Sequence, residues 1–426
     1  MKKLLFIFFI TLFTTLVQAQ VSRIINLETA GTLSTLLTDN EKATITELII
    51  SGSINAKDVK CIRDEITMLK NLDLSEVTIQ AYYGSSGTYT TYPISSRNYP
   101  ANEIPTNSFV KYGDAGKTSL SSVKLPNNIT SIGSAAFNNC TGLLSVLIPN
   151  SVISINTSAF SNCTGLTSID IPNSVTGIGR GAFEYCSGLT NLVIPNSIDA
   201  IYETTFSNCT GLKTLTIPST IRSIGNNAFI NCNSITILNI PTGVTTIGSN
   251  AFENCTSITA LTLSVGLSNI GEAAFKNCSG LKTIYCLSDT PPTLYSYYIL
   301  GQSPPVLYSY CFDGANSVTD VYVLTDAAVN AYKANSNWYL FFPENIIKKD
   351  ITSVVSSQKN RHIKVYSTNS EIRIQGTSEG ETVTLYTVNG KHIQTIMSKG
   401  ERLNLSVDRN TIYLVKTGEK IFKVIL

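Results

Sequence analysis

Cys163-Thr-Gly-Leu-Thr-Ser-Ile-Asp-Ile-Pro-Asn-Ser-Val-Thr-Gly-Ile-Gly-Arg-Gly-Ala-Phe-Glu-Tyr185 is the stretch that decides the fold, because the cysteine that opens it recurs in phase. Cysteines stand 23 residues apart at Cys140, Cys163, Cys186, Cys209, Cys232, Cys255 and Cys278. Phe137, Phe160, Phe183, Phe206, Phe229, Phe252 and Phe275 precede them by three residues, and a Leu or Ile follows each by three. Self-similarity at a fixed short period marks a stacked repeat. One such unit cannot bury its own apolar face, so its neighbours must cover it.

Within the unit each apolar position has a task. Leu166, Ile169 and Ile171 form the first set, and the last two alternate with polar residues as a strand with one buried face requires. Pro172 ends that strand. Proline cannot donate to a ladder, so its recurrence at Pro126, Pro149, Pro172, Pro195, Pro218 and Pro241 predicts a chain reversal after each strand, with Ser264 in the seventh place. Residues 175–178 form a second short extended piece, followed by Gly179 and an Ala-Phe turn whose ring plugs the coil. The prediction is a β-rich (α/β) solenoid of 23-residue parallel rungs.

The pattern extends in both directions. Ile45, Leu48 and Ile50, then Leu69, Leu72 and Leu74, read as opening rungs. Between them Asn55 caps a helix predicted over residues 55–69, with Val59, Ile62, Ile66 and Leu69 at helical spacing and Asp58 in the first turn. Downstream, Val318, Val321 and Val323 restore the strand pattern behind Phe312. An insertion lies within residues 287–311, where Pro291, Pro292, Pro304 and Pro305 interrupt a tyrosine-rich run. Eleven rungs result, about 50 Å of solenoid at roughly 4.8 Å per rung.

At the N-terminus, Lys2 and Lys3 precede an apolar run over residues 4–16, and Val17-Gln18-Ala19 offers small residues for cleavage. Residues 1–19 read as a secretory signal peptide. A retained anchor is the competing reading, but the run falls short of about 18 apolar residues. No other segment spans a bilayer. Without residues 1–19 the chain has 29 basic and 29 acidic side chains, since 31 bases lose Lys2 and Lys3 and the 29 acids lose none. That balance removes the electrostatic argument for nucleic acid. Ser, Thr and Asn fill the positions between strand core residues, a pattern that serves hydrogen bonding to a ligand and also follows from threonine's strand propensity.

The cysteines invite metal or disulfide chemistry in an exported chain. There is no Cys-x-x-Cys, and the two histidines, His362 and His392, lie outside the repeats. In-register side chains on neighbouring rungs hold their Cβ atoms near the rung spacing, wider than the roughly 3.8 Å that a disulfide prefers. The column therefore reads as buried free thiols, with Cys286 and Cys311 structural as well. Cys61 lies off the helical stripe and reads as a partly exposed thiol. No cofactor or metal is expected.

The motif Cys-x-x-Leu-x-x-Leu-x-Leu-Pro with Ile-Gly-x-x-Ala-Phe, over roughly residues 101–286, resembles the BspA-like leucine-rich repeat proteins found in the Bacteroidetes. The resemblance implies a leucine-rich repeat fold with irregular helical caps. It also implies a secreted or cell-surface adhesin-type protein whose partner is a host matrix protein, another cell-surface protein or a glycan. It carries over no individual binding residue.

A short helix at residues 325–335, begun by Thr325 or Asp326, and the cluster Trp338, Tyr339, Phe341 and Phe342 read as a cap on the last rung, against a sugar-stacking platform as the alternative. The same choice applies to Tyr82, Tyr83, Tyr89, Tyr92 and Tyr99. The candidate ligand-binding residues are Tyr285, Tyr295, Tyr297, Tyr298, Tyr308 and Tyr310, in and beside the insertion. After residue 350 seven alternating segments predict a small all-β sandwich, with Asn389-Gly390 as a hairpin turn. The run Val383-Thr-Leu-Tyr-Thr-Val-Asn-Gly-Lys391 and Thr411-Ile-Tyr-Leu-Val are similar to C-terminal sorting domains of the type IX secretion system, although Asn410-Thr411 stands where a Gly usually precedes the Ile-Tyr pair. A purely structural tail is the other reading.

The domain reading is a signal peptide at 1–19, an N-terminal cap with degenerate repeats at 20–118, and repeats at 119–286. Insertion, last rung and C-terminal cap follow at 287–350, and the tail at 351–426. Catalysis is not expected: the repeat strand face offers Asp170 as its one acid, with isolated Lys124, Lys213 and Lys282, and no acid and base pair.

Overall fold

The computed structural model describes residues 20–89, 96–111, 116–299 and 306–348 and, in the tail, seven strands between residues 364 and 425. The signal peptide, Tyr92, Lys349-Asp350 and Asn389-Gly390 lie outside the described residues. Two compact units divide the chain, residues 1–349 and 350–426.

Each rung of the first unit is a three-sided coil. The amide of Leu166 donates to the Cys163 carbonyl, that of Val175 to Pro172 and that of Ala182 to Gly179, so three tight turns bend the quoted stretch. The proline turns recur at Pro126, Pro149, Pro195, Pro218 and Pro241. At the seventh place Leu267 closes the same turn on Ser264, whose hydroxyl donates to the Pro241 carbonyl at 2.9 Å. Two parallel ladders join successive rungs. The first begins Ser22–Leu27, Glu47–Ile54, Asn71–Ile79, Ser122–Lys124 and Ser145–Leu147, resumes with Asn191–Val193 and Thr214–Thr216, and ends Ile237–Asn239, Ala260–Leu263, Thr283–Cys286, Asp320–Val323 and Ile346–Lys348. The second, of two-residue strands, runs from Glu103–Ile104 to Gly177–Ile178 and again from Ala200–Ile201 to Thr293–Leu294. Along the third side, amides of the phenylalanine turn bond the next rung, as Phe160 to Ala182 and Phe183 to Thr205.

The core between these sides is columnar. Phe109, Phe137, Phe160, Phe183, Phe206, Phe229, Phe252, Phe275 and Phe312 stack with centroids 4.9 to 5.6 Å apart. All ten cysteines are buried and free. Each repeat thiol from Cys163 to Cys278 donates to a phenylalanine carbonyl of the preceding rung at 3.1 to 3.3 Å, as Cys163 to Phe137. A thiol therefore does two things that alanine could not: it fills volume and satisfies a buried carbonyl.

Several expectations change. Residues 167–171, in the very stretch that announces the fold, form no strand; Asp170 is a poor strand former, and Ile169 is only partly buried. Strands at Ser22–Leu27 and Ile346–Lys348 lie beyond the eleven expected rungs. The helix spans Ala56–Asp64 and not residues 55–69. Its start holds as expected: Asn55 and Asp58 form a capping box, and the buried Asp58 also accepts the amides of Gly31 and Leu33. It ends early because Lys117, distant in sequence, donates to the Ile66 and Arg63 carbonyls, so further helical turns are not needed to satisfy them. Ile66 and Leu69 are buried in the turn that follows. Cys61 is buried, not partly exposed, and burial first, with Glu65 adding, pushes its thiol up to about 12.

At the C-terminal end Trp338, Phe341 and Phe342 pack on Phe312, whereas Tyr339, expected in the same cluster, is exposed. Thr325 caps the helix Asp326–Ala334, Asn335 caps a second helix Ser336–Phe341, and Trp338 is buried against Phe312 with its indole N–H on the Pro292 carbonyl at 3.0 Å. The tail unit consists of two antiparallel sheets, one of Lys364–Thr368, Glu371–Gln375 and Arg402–Ser406, the other of Thr382–Thr387, His392–Met397, Ile412–Thr417 and Lys420–Ile425.

Candidate functional site

The insertion is an antiparallel hairpin, Tyr297–Ile299 with Val306–Tyr308, in which Tyr297 faces Tyr308 across the ladder. It lies within the expected 287–311 and is narrower than that range. Thr293–Leu294 continues the second ladder by pairing with Asn269–Ile270, and the Cys311 carbonyl accepts the Phe275 amide as part of the phenylalanine side. Apart from one extra residue before Thr293, since Ile270 and Leu294 are 24 residues apart, the extra chain therefore sits between Leu294 and Phe312, 18 residues apart where Ile178 and Phe183 are five apart. Ser309 ties the base of the hairpin by donating to the Tyr295 carbonyl at 2.6 Å. Tyr295 is exposed, and Tyr310 is half-buried with the Lys276 ammonium 5.3 Å from its ring centre. The side chains of Tyr297, Tyr298 and Tyr308 lie outside the described residues.

Tyr285 is not in this group. It stands in the first ladder, half-buried, where Thr283–Cys286 pairs with Asp320–Val323, and its ring lies 5.5 Å from that of Tyr322. The structure thus places Tyr285 in the first ladder, Tyr297, Tyr298 and Tyr308 in the hairpin and Tyr295 and Tyr310 at the hairpin's base outside any strand, and it gives Tyr285 a partner that the tyrosine-rich run does not contain. Tyr322 was visible in phase: it follows Val318 by four residues, as Tyr285 follows Leu281.

The strand face is weakly charged and mixes Thr and Asn with the exposed side chains of Leu147, Val193 and Ile237. Thr214 donates to the Asn191 side chain, and the amide of Asn191 donates to the Thr190 hydroxyl at 3.2 Å. Lys124 is not isolated; its ammonium bonds Asp73 at 2.8 Å. Burial alone would raise the Asp73 carboxyl, but the bonds from Lys124 and Ser75 outweigh it and hold the carboxyl below its ordinary range. Asp170 is exposed. Among the described residues no group of three or more His, Cys, Asp or Glu is placed to hold a metal ion, and no helix is long and apolar enough to cross a membrane.

A second polar column escaped the sequence reading. Asn139, Asn162, Asn208, Asn231, Asn254 and Asn277 sit one residue before the cysteines with φ near +60°, a region that asparagine tolerates better than most residues. Their side-chain amides form a ladder, with Asn231 to Asn208 and Asn254 to Asn231 both at 2.8 Å. It ends at Gly314, φ +76°, where a β-carbon would lie 2.6 Å from the side-chain oxygen Oδ1 of Asn277. At Tyr185 the ladder is interrupted. The signal was present in the sequence as an asparagine in the same phase as the cysteines.

Parallel rungs, a leucine or isoleucine column and a phenylalanine spine define a leucine-rich repeat protein. The profile of the BspA type leucine rich repeat region, six copies long, matches residues 102–236, 176–299 and 234–351, more than half of the chain, and the chain belongs to that family. No curated protein matches it. It is similar to the solved leucine-rich repeat protein of T. pallidum, at 28% identity over 43% of this chain and 72% of that one, TM-score 0.30. A leucine-rich repeat protein from Bacteroides ovatus is 24% identical over 56% of this chain and 67% of that one, TM-score 0.32. A leucine rich cell surface protein from Faecalibacterium prausnitzii is 20% identical over 74% and 86%, TM-score 0.34.

Proposed function

We propose that the chain is an exported bacterial cell-surface protein whose solenoid of 23-residue rungs binds a macromolecule without catalysis, a protein ligand in preference to a glycan. One observation carries the reading: a tyrosine-bearing hairpin, the second in the first unit after Tyr82–Gly84 with Arg97–Tyr99, is grafted onto the 23-residue repeats at a place where the other rungs need only a short link. Insertions on a rigid scaffold are where repeat proteins carry recognition, because the scaffold fixes the loop without cost to its own core. The proposed partner is a host matrix or other cell-surface protein. Residues 1–19 act as the signal peptide, and the tail, its two sheets packed as a small sandwich, acts as a type IX sorting domain. Family membership supports the surface location.

The test replaces residues 297–308 with a short Gly-Asn turn, leaving Thr293–Leu294 and Cys311 in place. Affinity for whichever immobilised matrix protein the wild type captures should fall at least tenfold, with an unchanged melting curve. Unchanged affinity removes the hairpin as the site. The Tyr285 and Tyr322 rings favour a second reading, glycan binding or processing on the strand face, because tyrosine offers an apolar body and a polar tip. Capture on a glycan array that is lost with Tyr285→Ala and retained without the hairpin would select it. Protease shaving of cells expressing the chain with and without residues 351–426 tests the sorting role, since a sorting domain requires that the truncated chain stay inside.

A further inference from the structure

Among the described residues, the rung of residues 163–185 is the one at which both ladders stop. Residues 167–171 pair with neither Ser145–Leu147 nor Asn191–Val193, and Gly177–Ile178 is the last strand of its sheet, unpaired with Ala200–Ile201. Elsewhere one ladder bridges any break in the other: where the first stops between Thr214–Thr216 and Ile237–Asn239, the second continues through Ser223–Ile224 and Thr246–Ile247. The asparagine ladder is interrupted at the same rung by Tyr185. Ser174 and Ser151 hold buried hydroxyls without partners, whereas Thr220, in the same phase two rungs after Ser174, donates to the Ile198 carbonyl at 2.8 Å.

The phenylalanine side remains whole. Phe160 and Phe183 stack at 5.4 Å, Phe183 and Phe206 at 5.5 Å, and the amides of Gly181, Phe183 and Tyr185 bond Glu203, Thr205 and Ser207. On the open sides the links of the following rung to backbone carbonyls are few, with Thr190 reaching the Thr167 carbonyl and Ser197 the Val175 carbonyl, and at the corner after Ile178 the Thr205 hydroxyl reaches the Gly179 carbonyl and Arg180 pairs with Glu203.

We infer that the rung of residues 163–185 is a built-in flexure at which the solenoid bends about its phenylalanine edge. Three departures from the repeat produce it. Asp170 disfavours the first strand, Gly177 stands in open space where other rungs place Ser154, Ala200 or Ser223, and Tyr185 displaces the ladder amide. Local opening follows where bridging backbone bonds are fewest. Leu144 and Leu147 lie on one side of the flexure and Val193 on the other, all more than half exposed on the strand face. Bending changes their spacing, so a partner seated across them selects one bend angle. The inference is independent of whether the hairpin is the binding site.

Residue-resolved hydrogen exchange on the full chain tests it, using amides that are bonded alike in both places. Thr176 and Gly179 donate to Ile153 and Ile155 as Ser268 and Gly271 donate to Thr245 and Ile247. The flexure requires at least tenfold faster exchange at Thr176 and Gly179 than at Ser268 and Gly271, while Phe183 stays as slow as Phe252. Equal rates at the two pairs overturn the proposal. Tyr185→Asn with Gly177→Ser, both away from the core, should slow Thr176 and Gly179 several-fold and leave Ser268 unmoved. No slowing in a variant that melts like the wild type also overturns it.

Discussion

Burial decides what the titratable side chains of this chain do. It pushes the thiols of Cys140, Cys278 and Cys286 up to about 12, so at neutral pH the columns are apolar filling and not nucleophiles. Lys117 gives the same physics a measurable sign. Its ammonium is buried on the Ile66 carbonyl at 2.6 Å, and burial first, then the Lys111 charge, pull its pKa from 10.5 down to about 8. Below pH 8 folded and unfolded chains both hold the proton, and the desolvation penalty is fully present. Between about 8 and 10.5 the unfolded chain holds more of it, so stability rises with pH by up to about 1.4 kcal/mol per unit. Lys117→Met removes this slope and adds a pH-independent loss of about 1 to 3 kcal/mol for the stranded carbonyl. Urea midpoints for both proteins from pH 7.5 to 10 should diverge in the wild type's favour; parallel curves would mean that Lys117 titrates normally.

Along each rung the turn residues do as much as the core. Asn231 holds φ +62° and bonds both Asn208 and Asn254. Asn231→Ala loses those bonds and puts in the left-handed region a residue that tolerates it less well than asparagine, about 3 kcal/mol together, whereas Asn231→Gly relieves the backbone and should cost about 1 to 2. Equal shifts in urea midpoint would show that the backbone conformation contributes nothing. This column illustrates what the sequence made legible. Cysteine, phenylalanine and leucine were read because apolar phase points directly at a core. Asparagine in the same phase was passed over because a polar turn residue has many uses. The stop of the helix at Asp64 was not legible because Lys117, which takes the Arg63 carbonyl and that of Ile66 just beyond the helix, lies some fifty residues on. Arg63 is buried for a similar reason, donating to the carbonyls of Thr88, Asn107 and Val110. The hairpin's edges were blurred because Thr293–Leu294 is only two residues long and carries no pattern of its own. Tyr322 shares the rung phase of Tyr285 but stands outside the tyrosine-rich run, so only the pairing of their two strands brings the rings together.

At the scale of the whole molecule a solenoid is nearly one-dimensional, so each rung is stabilised by its neighbours and the terminal rung depends on its cap. Phe312 ends the phenylalanine stack and is covered by Trp338 at 5.7 Å, Phe341 at 5.7 Å and Phe342 at 5.2 Å. Trp338 is the single tryptophan of the chain and stands in this cap, so its fluorescence reports the C-terminal end alone. Phe342→Ala keeps the reporter and removes one buried ring, a loss of about 3 to 5 kcal/mol. With interactions confined to nearest neighbours, that loss falls first on the last rung and only then on the rungs behind it. In urea the fluorescence transition of the variant should therefore move to lower concentration while its far-UV circular dichroism transition shifts much less. If both move together by the same amount, the nine-ring stack transmits the loss along its length, and the solenoid unfolds as one cooperative body despite its linear architecture.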